Sequence, residues 1–171
     1  MALSAAQTRV VNAAVSLFAR NGVGGTSLQM IADEIGVTKA AVYHQYKSKE
    51  EIVLVAAQSE LARLRAVVEA ATTRDELLAG IVELAIAGRR TVGSMLNDPV
   101  IVGYFAKDKD FRSVMRKLQA LLLGEDGGSA ARVRTAMLIA AVSGAVMHPF
   151  VVDLDDDTLR THLMALAHAF L

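Results

Sequence analysis

The chain has 171 residues, of which 53% are hydrophobic and 5% aromatic, with two prolines and no cysteine. This length can bury the core of one or two domains, and the low aromatic and proline content favours helices over sheets. The absence of cysteine excludes disulfides and thiolate chemistry. The first residues lack the basic and long apolar regions of a signal peptide, so we expect a cytoplasmic protein.

Charge is unevenly distributed along the chain, although the formal net charge is zero. Residues 1–49 carry five basic and two acidic side chains, a net charge of +3, while the remainder carries 13 basic and 16 acidic ones, a net charge of −3. A basic excess confined to one segment is typical of modules that bind nucleic acid.

Three short helices are predicted in this basic segment. Apolar residues at helical spacing predict a first helix over 4–20: Val10, Ala14, Leu17 and Phe18. A glycine-rich loop follows, and a capping box of Thr26 with Gln29 opens a second helix, which Gly36 closes. A third helix is predicted over 39–45. Two short helices joined by a glycine-containing turn form a helix-turn-helix.

The remainder of the chain is also predicted to be helical. Ser48 with Glu51 forms a capping box that opens a long helix reaching about residue 71. Further helices are predicted over 75–90, 91–97, 100–106, 108–123 and 129–148, and a last one is capped by 155–157. The uncharged run 135–152 approaches the ~20 residues of a membrane span, but Pro149 interrupts it, which favours a buried interface helix and no membrane.

These patterns predict an all-α fold with two domains. We expect residues 1–47 to form an N-terminal three-helix helix-turn-helix module, a motif typical of DNA binding, and residues 48–171 to form a C-terminal helical domain.

The third helix carries side chains suited to reading the major groove. Val42 is expected to face the core, which leaves four residues to face DNA: Lys39, Ala40, Ala41 and His44. Lys39 can donate to guanine edges, and alanine methyl groups can contact a thymine methyl. Helix N-termini at Ser27 and at Ser48 supply backbone N–H groups for phosphate oxygens.

Residues 26–52, TSLQMIADEIGVTKAAVYHQYKSKEEI, resemble the signature of the tetracycline-repressor (TetR) family. The matching positions are Ile31, Ala32, Gly36, Val37, Tyr43, Lys49 and Glu50. The sequence departs from the family pattern with Ile35 for Ala, Val42 for Leu, Gln45 for His and Tyr46 for Phe. The resemblance extends over about residues 8–55.

This resemblance implies a set of DNA-contacting residues: Ser27, Gln29, Thr38, Lys39, Ala40, Ala41, Tyr43, His44 and Lys49. It also implies a homodimer built from the last two helices and an effector pocket in the C-terminal domain. The function expected from it is repression at a palindromic double-stranded operator, relieved when the effector binds.

The C-terminal helices offer residues for both of these roles. The helix predicted over 129–148 is called helix 8 here, and the last one helix 9. Small residues on helix 8 would let two helices approach closely: Ala140, Ala141, Gly144 and Ala145. Apolar residues repeat along helix 9: Leu159, Leu163, Leu166 and Phe170. This apolar face predicts that the homodimer forms through helices 8 and 9. We expect a small apolar effector, contacted by candidate ligand-binding residues: Asn97, Tyr104, Met115, Ser143, Met147 and His148.

Two other functions stay open at this point. A helix-turn-helix regulator can act through a protein partner without an effector, and ligand-dependent loss of operator binding would distinguish the two. A small helical enzyme is the second, but the sequence has no nucleophile elbow, zinc-protease motif, phosphate loop or cysteine. The acids that follow His148 suit helix caps rather than a metal site, so neither catalytic residues nor a metal or cofactor is expected.

Overall fold

A computed structural model describes residues 3–89, 99–124 and 128–170. These residues form nine α-helices and one short 3-10 helix, with no β-strand among them. The α-helices are α1 (Ala5–Asn21), α2 (Leu28–Glu34), α3 (Lys39–Gln45), α4 (Lys49–Ala70), α5 (Arg74–Gly88), α6 (Pro99–Lys107), α7 (Lys109–Leu123), α8 (Gly128–Ala145) and α9 (Asp156–Phe170). The predicted all-α fold is confirmed; the helix predicted over 91–97 lies outside the described residues.

Helices α1, α2 and α3 pack against one another as a small module. Ser4 opens α1 with a capping box, and Gly22 closes it at a φ of 72°. Phe18, Ile31 and Val42 come from the three different helices, and each is at most 1% exposed. Each helix therefore gives its apolar face to a shared core, as expected for amphipathic helices.

The second helix begins one residue later than its predicted cap. Ser27 is the N-cap of α2, because its hydroxyl accepts a hydrogen bond from a backbone N–H of the first turn. Thr26 is buried and its hydroxyl donates to the carbonyl of Gly22, while the amide of Gln29 donates to Asp33. The predicted capping box of Thr26 with Gln29 is therefore wrong, since the Thr26 hydroxyl is used inside the preceding loop.

The chain divides into two compact units, and the division falls inside α4. The first unit holds the chain up to Glu60 and a segment that ends at Tyr104. The second unit holds Leu61–Arg89 and Phe105–Leu171. The functional boundary predicted between residues 47 and 48 stays a prediction.

Helix α5 is the central helix of the second unit, because it packs against α7, α8 and α9. Its buried apolar residues form one broad face of the helix: Leu77, Leu78, Ile81, Val82 and Ile86. Arg89 follows the end of α5 and donates to the carbonyl oxygens of Val152 and Leu154, at 3.0 and 3.1 Å. The same guanidinium pairs with Asp156 at 3.0 Å, so it ties the end of α5 to the loop that precedes α9.

Helix α8 is shorter than predicted. It ends at Ala145 rather than at His148, and Pro149 opens the 3-10 helix Pro149–Val151. His148 caps this 3-10 helix, since its Nδ1 accepts from the backbone N–H of Phe150 at 3.3 Å. Within the described ranges, no helix is long and apolar enough to span a membrane.

Candidate nucleic-acid interface

Helix α3 has one buried side and one open side. Thr38 caps it by accepting from the backbone N–H of Ala41 at 3.1 Å. Val42 is 0% exposed and fixes the rotation of the helix about its axis. Four of the predicted contact residues are exposed as a result: Lys39, Ala40, Ala41 and His44. Tyr43 is also exposed, by 51%. The open side thus presents one ammonium, two methyl groups, a phenol and an imidazole.

Arginines of α1 hold the end of α2 next to the turn. Arg9 donates to the carbonyl oxygen of Ile35 at 3.2 Å, and Arg20 pairs with Glu34 at 2.7 Å. A cation at the carboxyl end of a helix is electrostatically favoured. Gly36 follows with a φ of 67°, a conformation that favours glycine. Sequence reasoning missed this role of both arginines because their partners lie in another helix.

The two predicted contacts on α2 are exposed. Ser27 is already used as the N-cap, and the amide of Gln29 donates to Asp33 at 2.7 Å. The Gln29 amide therefore has to give up or share this bond to contact a nucleic acid.

Lys47 supports Tyr43, which sequence reasoning did not anticipate. Its Nζ lies 5.2 Å from the centroid of the Tyr43 ring and donates to the Tyr43 carbonyl oxygen at 3.3 Å. An ammonium over an aromatic face is attracted by the ring. Lys47 therefore orients the exposed tyrosine and places a positive charge beside it.

Lys49 lies apart from the exposed face of α3. Its side chain is half-buried, and Nζ donates to the carbonyl oxygens of Val23 and Thr26 at 2.7 and 2.9 Å. These two bonds occupy two of its three donors. In this structure Lys49 fastens the loop between α1 and α2 to the start of α4, a role that its spacing in sequence did not indicate.

A buried tyrosine, Tyr46, directly follows α3. Tyr46 is 4% exposed, and among the described residues its hydroxyl has no hydrogen-bond partner. Burial raises the pKa of this phenol, and the charge of Glu51 raises it further. The hydroxyl is the group that distinguishes Tyr46 from the phenylalanine of the family pattern.

The candidate ligand-binding residues of the second unit do not line one common groove. Tyr104 lies in the first unit, where its hydroxyl accepts from the amide of Gln58 at 3.3 Å. Met115 lines a groove between α7 and α8 in the second unit. Ser143 and Met147 are half-buried near the other end of α8, and His148 caps the 3-10 helix. None of these three lines the groove of Met115. Asn97 lies outside the described residues.

Comparison with known proteins assigns this module. Residues 10–56 match the model of the bacterial regulatory proteins, tetR family. The helix-turn-helix module at residues 10–56 is therefore of the TetR type. Residues 10–56 are accordingly a DNA-binding helix-turn-helix domain, and the family is one of transcriptional regulators rather than enzymes.

Two curated relatives match part of the chain. The uncharacterized HTH-type transcriptional regulator YerO of Bacillus subtilis is 40% identical over 50 residues, which are 29% of this chain and 17% of the relative. The HTH-type transcriptional regulator UidR of Escherichia coli is 32% identical over 82 residues, which are 46% of this chain and 42% of the relative. The matches thus span less than half the length of either relative.

Solved structures extend the likeness of fold to nearly the whole chain. A transcriptional regulator of the TerR/AcrR family from Aquifex aeolicus has a TM-score of 0.73 and 18% identity, covering 97% of this chain and 99% of its own. A tetR-family regulatory protein from Rhodococcus has a TM-score of 0.73 and 20% identity, covering 98% and 97%. The second unit therefore shares the TetR fold.

Proposed function

We propose that this chain is a homodimeric repressor of the TetR family that binds a pseudo-palindromic operator and is released from it by a small effector. The observation that carries the proposal is the orientation of α3: Val42 is buried completely while the residues around it are open. A helix held in this way can enter the major groove with its exposed side chains against the base edges.

Each exposed side chain of α3 has a chemical role in this proposal. Lys39, in the first turn, donates to guanine O6 or N7, and the methyl groups of Ala40 and Ala41 contact thymine methyls. Tyr43 and His44 donate to phosphates or base edges from the second turn, with Lys47 beside the tyrosine ring. The capped N-termini of α2 and α3 add backbone N–H groups that favour phosphate oxygens.

The exposed apolar surface of the second unit supports a homodimer. On α8, Val133 and Met137 are 57% and 54% exposed; on α9, Leu166 and Phe170 are 68% and 39% exposed. Helices α8 and α9 pack against each other, so these residues belong to one pair of helices. Soluble monomers seldom leave contiguous large apolar side chains in water, which favours a second copy as the partner.

Two residues assigned to the dimer surface from sequence are used elsewhere. Leu159 and Leu163 are 3% and 6% exposed within the single chain, since α9 packs against α5. The prediction that they face a partner is therefore wrong. Of the four apolar residues named on α9, only Leu166 and Phe170 are available for an interface, together with the exposed Ala140, Ala141 and Gly144 of α8.

An effector can act on this arrangement only through a difference in its affinity for two conformations. Helix α4 runs without interruption from Lys49 to Ala70, and through Lys49 it is bonded to the loop between α1 and α2. A ligand that favours one position of α4 thereby changes the placement of the helix-turn-helix, and ~1–3 kcal/mol of coupling is typical of such systems.

The test of the proposed function is selection of bound duplexes from random DNA with the full chain, followed by titration at several salt concentrations. We expect enrichment of an inverted repeat and affinity that falls steeply with salt. Lys39→Ala should weaken binding and relax the preference at one base pair per half-site, whereas Arg134→Ala on α8 should do neither. Failure to enrich any sequence, or equal affinity of wild type and Lys39→Ala for the selected site, would reject the assignment of α3.

A further inference from the structure

A groove on the second unit combines a cluster of cations with an apolar wall. It lies between α7 and α8 and has a volume of about 760 Å³, which is within the ~300–1,000 Å³ typical of small-molecule sites. Its cations are Lys109, Arg112, Arg116 and Arg132, and none of the described residues that line it is acidic. The groove therefore differs from the mainly apolar pocket expected from sequence.

Helix α7 places three of its four cations on a different flank from its one acid. Lys109, Arg112 and Arg116 follow the i, i+3, i+7 spacing that puts side chains on one helical face, and all three line the groove. Asp110 lies on the other flank, where it pairs with Arg65 at 2.9 Å. The only carboxylate of α7 thus does not neutralise the groove.

Described residues of other elements do not pair with the cations of the groove either. Within the part of the chain that the structure describes, Lys109, Arg116 and Arg132 have no carboxylate partner. Arg112 donates from Nη1 to the carbonyl oxygen of Ala106 at 3.2 Å, which leaves its charge unpaired. Like charges gathered in a cleft with apolar walls produce a concentrated positive potential that attracts anions.

A buried hydroxyl lies in the same groove. Thr135 lines it, is only 2% exposed, and among the described residues its Oγ1 has no hydrogen-bond partner. A threonine within a helix commonly bonds the carbonyl of the preceding turn, and Thr135 does not. Buried polar groups normally have a partner, so this hydroxyl indicates a ligand atom that accepts or donates a hydrogen bond at this point.

The groove has an apolar side for the body of a ligand. Phe111 and Met115 line it and are half-buried. The Phe111 ring is stacked on Phe105 with centroids 4.8 Å apart, so its position is fixed. Met115 offers a flexible thioether that adapts to different apolar shapes.

We propose that this groove binds an amphipathic organic anion, with one carboxylate, phosphate or sulfate group and an apolar body. The anionic group is held by Arg116, Arg132 and the hydroxyl of Thr135, while the body lies against Phe111 and Met115. Guanidinium groups suit this task because they bind such oxyanions through two parallel hydrogen bonds. The role of the anion as the effector rests on the proposed function, whereas its binding in the groove does not depend on that function.

The first test is calorimetric titration of the full chain with three ten-carbon probes, each kept below its micellar concentration: decanoate, decanol and decyltrimethylammonium. The three share an apolar chain and differ in charge. We expect decanoate to bind at least about tenfold more tightly than decanol, and the cation not to bind, since charged hydrogen bonds contribute most of the difference. Equal binding of decanoate and decanol would overturn the proposal.

Two matched double variants locate the site. Arg116→Gln with Arg132→Gln removes two groove cations and should weaken decanoate binding at least about tenfold. Lys117→Gln with Arg134→Gln removes the same charge from the same two helices, outside the groove, and should leave it unchanged. Thr135→Val should weaken decanoate binding without lowering the melting temperature of the free protein, because the hydroxyl has no partner to lose.

Each result separates this inference from the proposed function, because operator binding is measured on the same samples. Operator binding without decanoate binding rejects the groove as an anion site and leaves the regulator intact. Decanoate binding without operator binding supports the anion site and rejects the proposed regulator. Equal loss of decanoate affinity in both double variants would show nonspecific attraction, and loss of the oligomeric state on removing Arg116 and Arg132 would assign the groove to a subunit interface; either result overturns the proposal.

Discussion

The ammonium of Lys49 donates a hydrogen bond of 2.7 Å to the carbonyl oxygen of Val23, 26 positions earlier in the chain. A second bond, to the carbonyl of Thr26, completes a clamp between the start of α4 and the loop that precedes α2. The resemblance in sequence implies that Lys49 contacts DNA. The geometry instead makes it part of the internal framework of the DNA-binding module.

Lys49→Met should therefore lower the stability of the protein. Methionine keeps much of the apolar stem but leaves two carbonyl oxygens without their donor, and hydrogen bonds to a charged group are worth about 1.5–3 kcal/mol. Urea unfolding followed by circular dichroism measures the loss. Lys47→Met, whose ammonium lies over the exposed Tyr43 ring, is the matched control and should cost less than about 1 kcal/mol. A Lys49→Met protein of unchanged stability whose DNA binding has a flatter salt dependence would return Lys49 to phosphate contact.

The buried hydroxyl of Tyr46 predicts that removing it increases the stability of the protein. Because that hydroxyl has no partner among the described residues, Tyr46→Phe removes a desolvated polar atom while keeping the ring. We expect the free energy of unfolding to rise by about 1 kcal/mol. Tyr43→Phe, at a ring that is 51% exposed, should leave stability unchanged. Differential scanning calorimetry of both variants decides it: destabilisation by Tyr46→Phe would mean that the hydroxyl is hydrogen-bonded in solution.

Local patterns predicted the helices well, because caps and apolar spacing act within a few residues. Ser48 illustrates both the reach and the limit of such patterns: its hydroxyl accepts from the Glu51 backbone as expected, but the Glu51 carboxylate accepts from Lys47 instead. Leu163 was misassigned for a similar reason. A periodic apolar face indicates that one side of a helix is buried. Only the tertiary packing of α5 on α9 shows which element buries it.

Functional residues were harder to predict where their partners are distant in sequence. The spacing of Val42 and its neighbours was enough to orient α3. The role of Lys49 could not be predicted from the sequence, because its hydrogen-bond acceptors lie more than 20 positions away in the chain. The basic spacing of Lys109, Arg112 and Arg116 was present in the sequence, but only the structure shows that Asp110 lies on the opposite flank and does not neutralise them.

An ion pair between α5 and α9 should make stability depend on pH. Arg160 donates to both carboxylate oxygens of Glu83, from Nε to Oε1 and from Nη2 to Oε2, and these bonds hold the pKa of Glu83 below its usual range. A carboxyl whose pKa is lowered on folding contributes stability above its unfolded pKa of about 4.3 and loses that contribution as the pH falls through the folded value.

Glu83→Gln should accordingly be less stable than wild type at neutral pH and indistinguishable from it in acid. Because the pair is partly exposed, with side chains 36% and 52% accessible, we expect a difference of at most about 1 kcal/mol. Urea unfolding at several pH values between 7 and about 3 gives the profile. Glu69→Gln provides the control on a neighbouring helix. A Glu83→Gln deficit that stays constant down to the lowest pH would show that the carboxylate charge is not responsible.

The oligomeric state depends on which apolar residues of α8 and α9 are open. Met137 and Leu166 are 54% and 68% exposed in the single chain, so a charge at either position meets water and should not disturb the fold of one subunit. Within an interface the same charge would be desolvated without a partner, which is costly. The interface prediction therefore concerns these two residues, whereas a charge at the buried Leu163 would damage the core whether or not a dimer forms.

Met137→Glu with Leu166→Glu should convert a dimer into a folded monomer. In a twofold interface each substitution occurs twice, so the dissociation constant should rise at least about 100-fold, which sedimentation velocity detects at micromolar concentration. Helical circular dichroism should be unchanged, and affinity for a two-half-site operator should fall because the half-sites are then bound independently. Val102→Glu, on α6 and 50% exposed, should leave the dimer intact. A wild-type protein that sediments as a monomer, or a double variant that stays dimeric, would place the subunit contact elsewhere and remove the role given to α8 and α9.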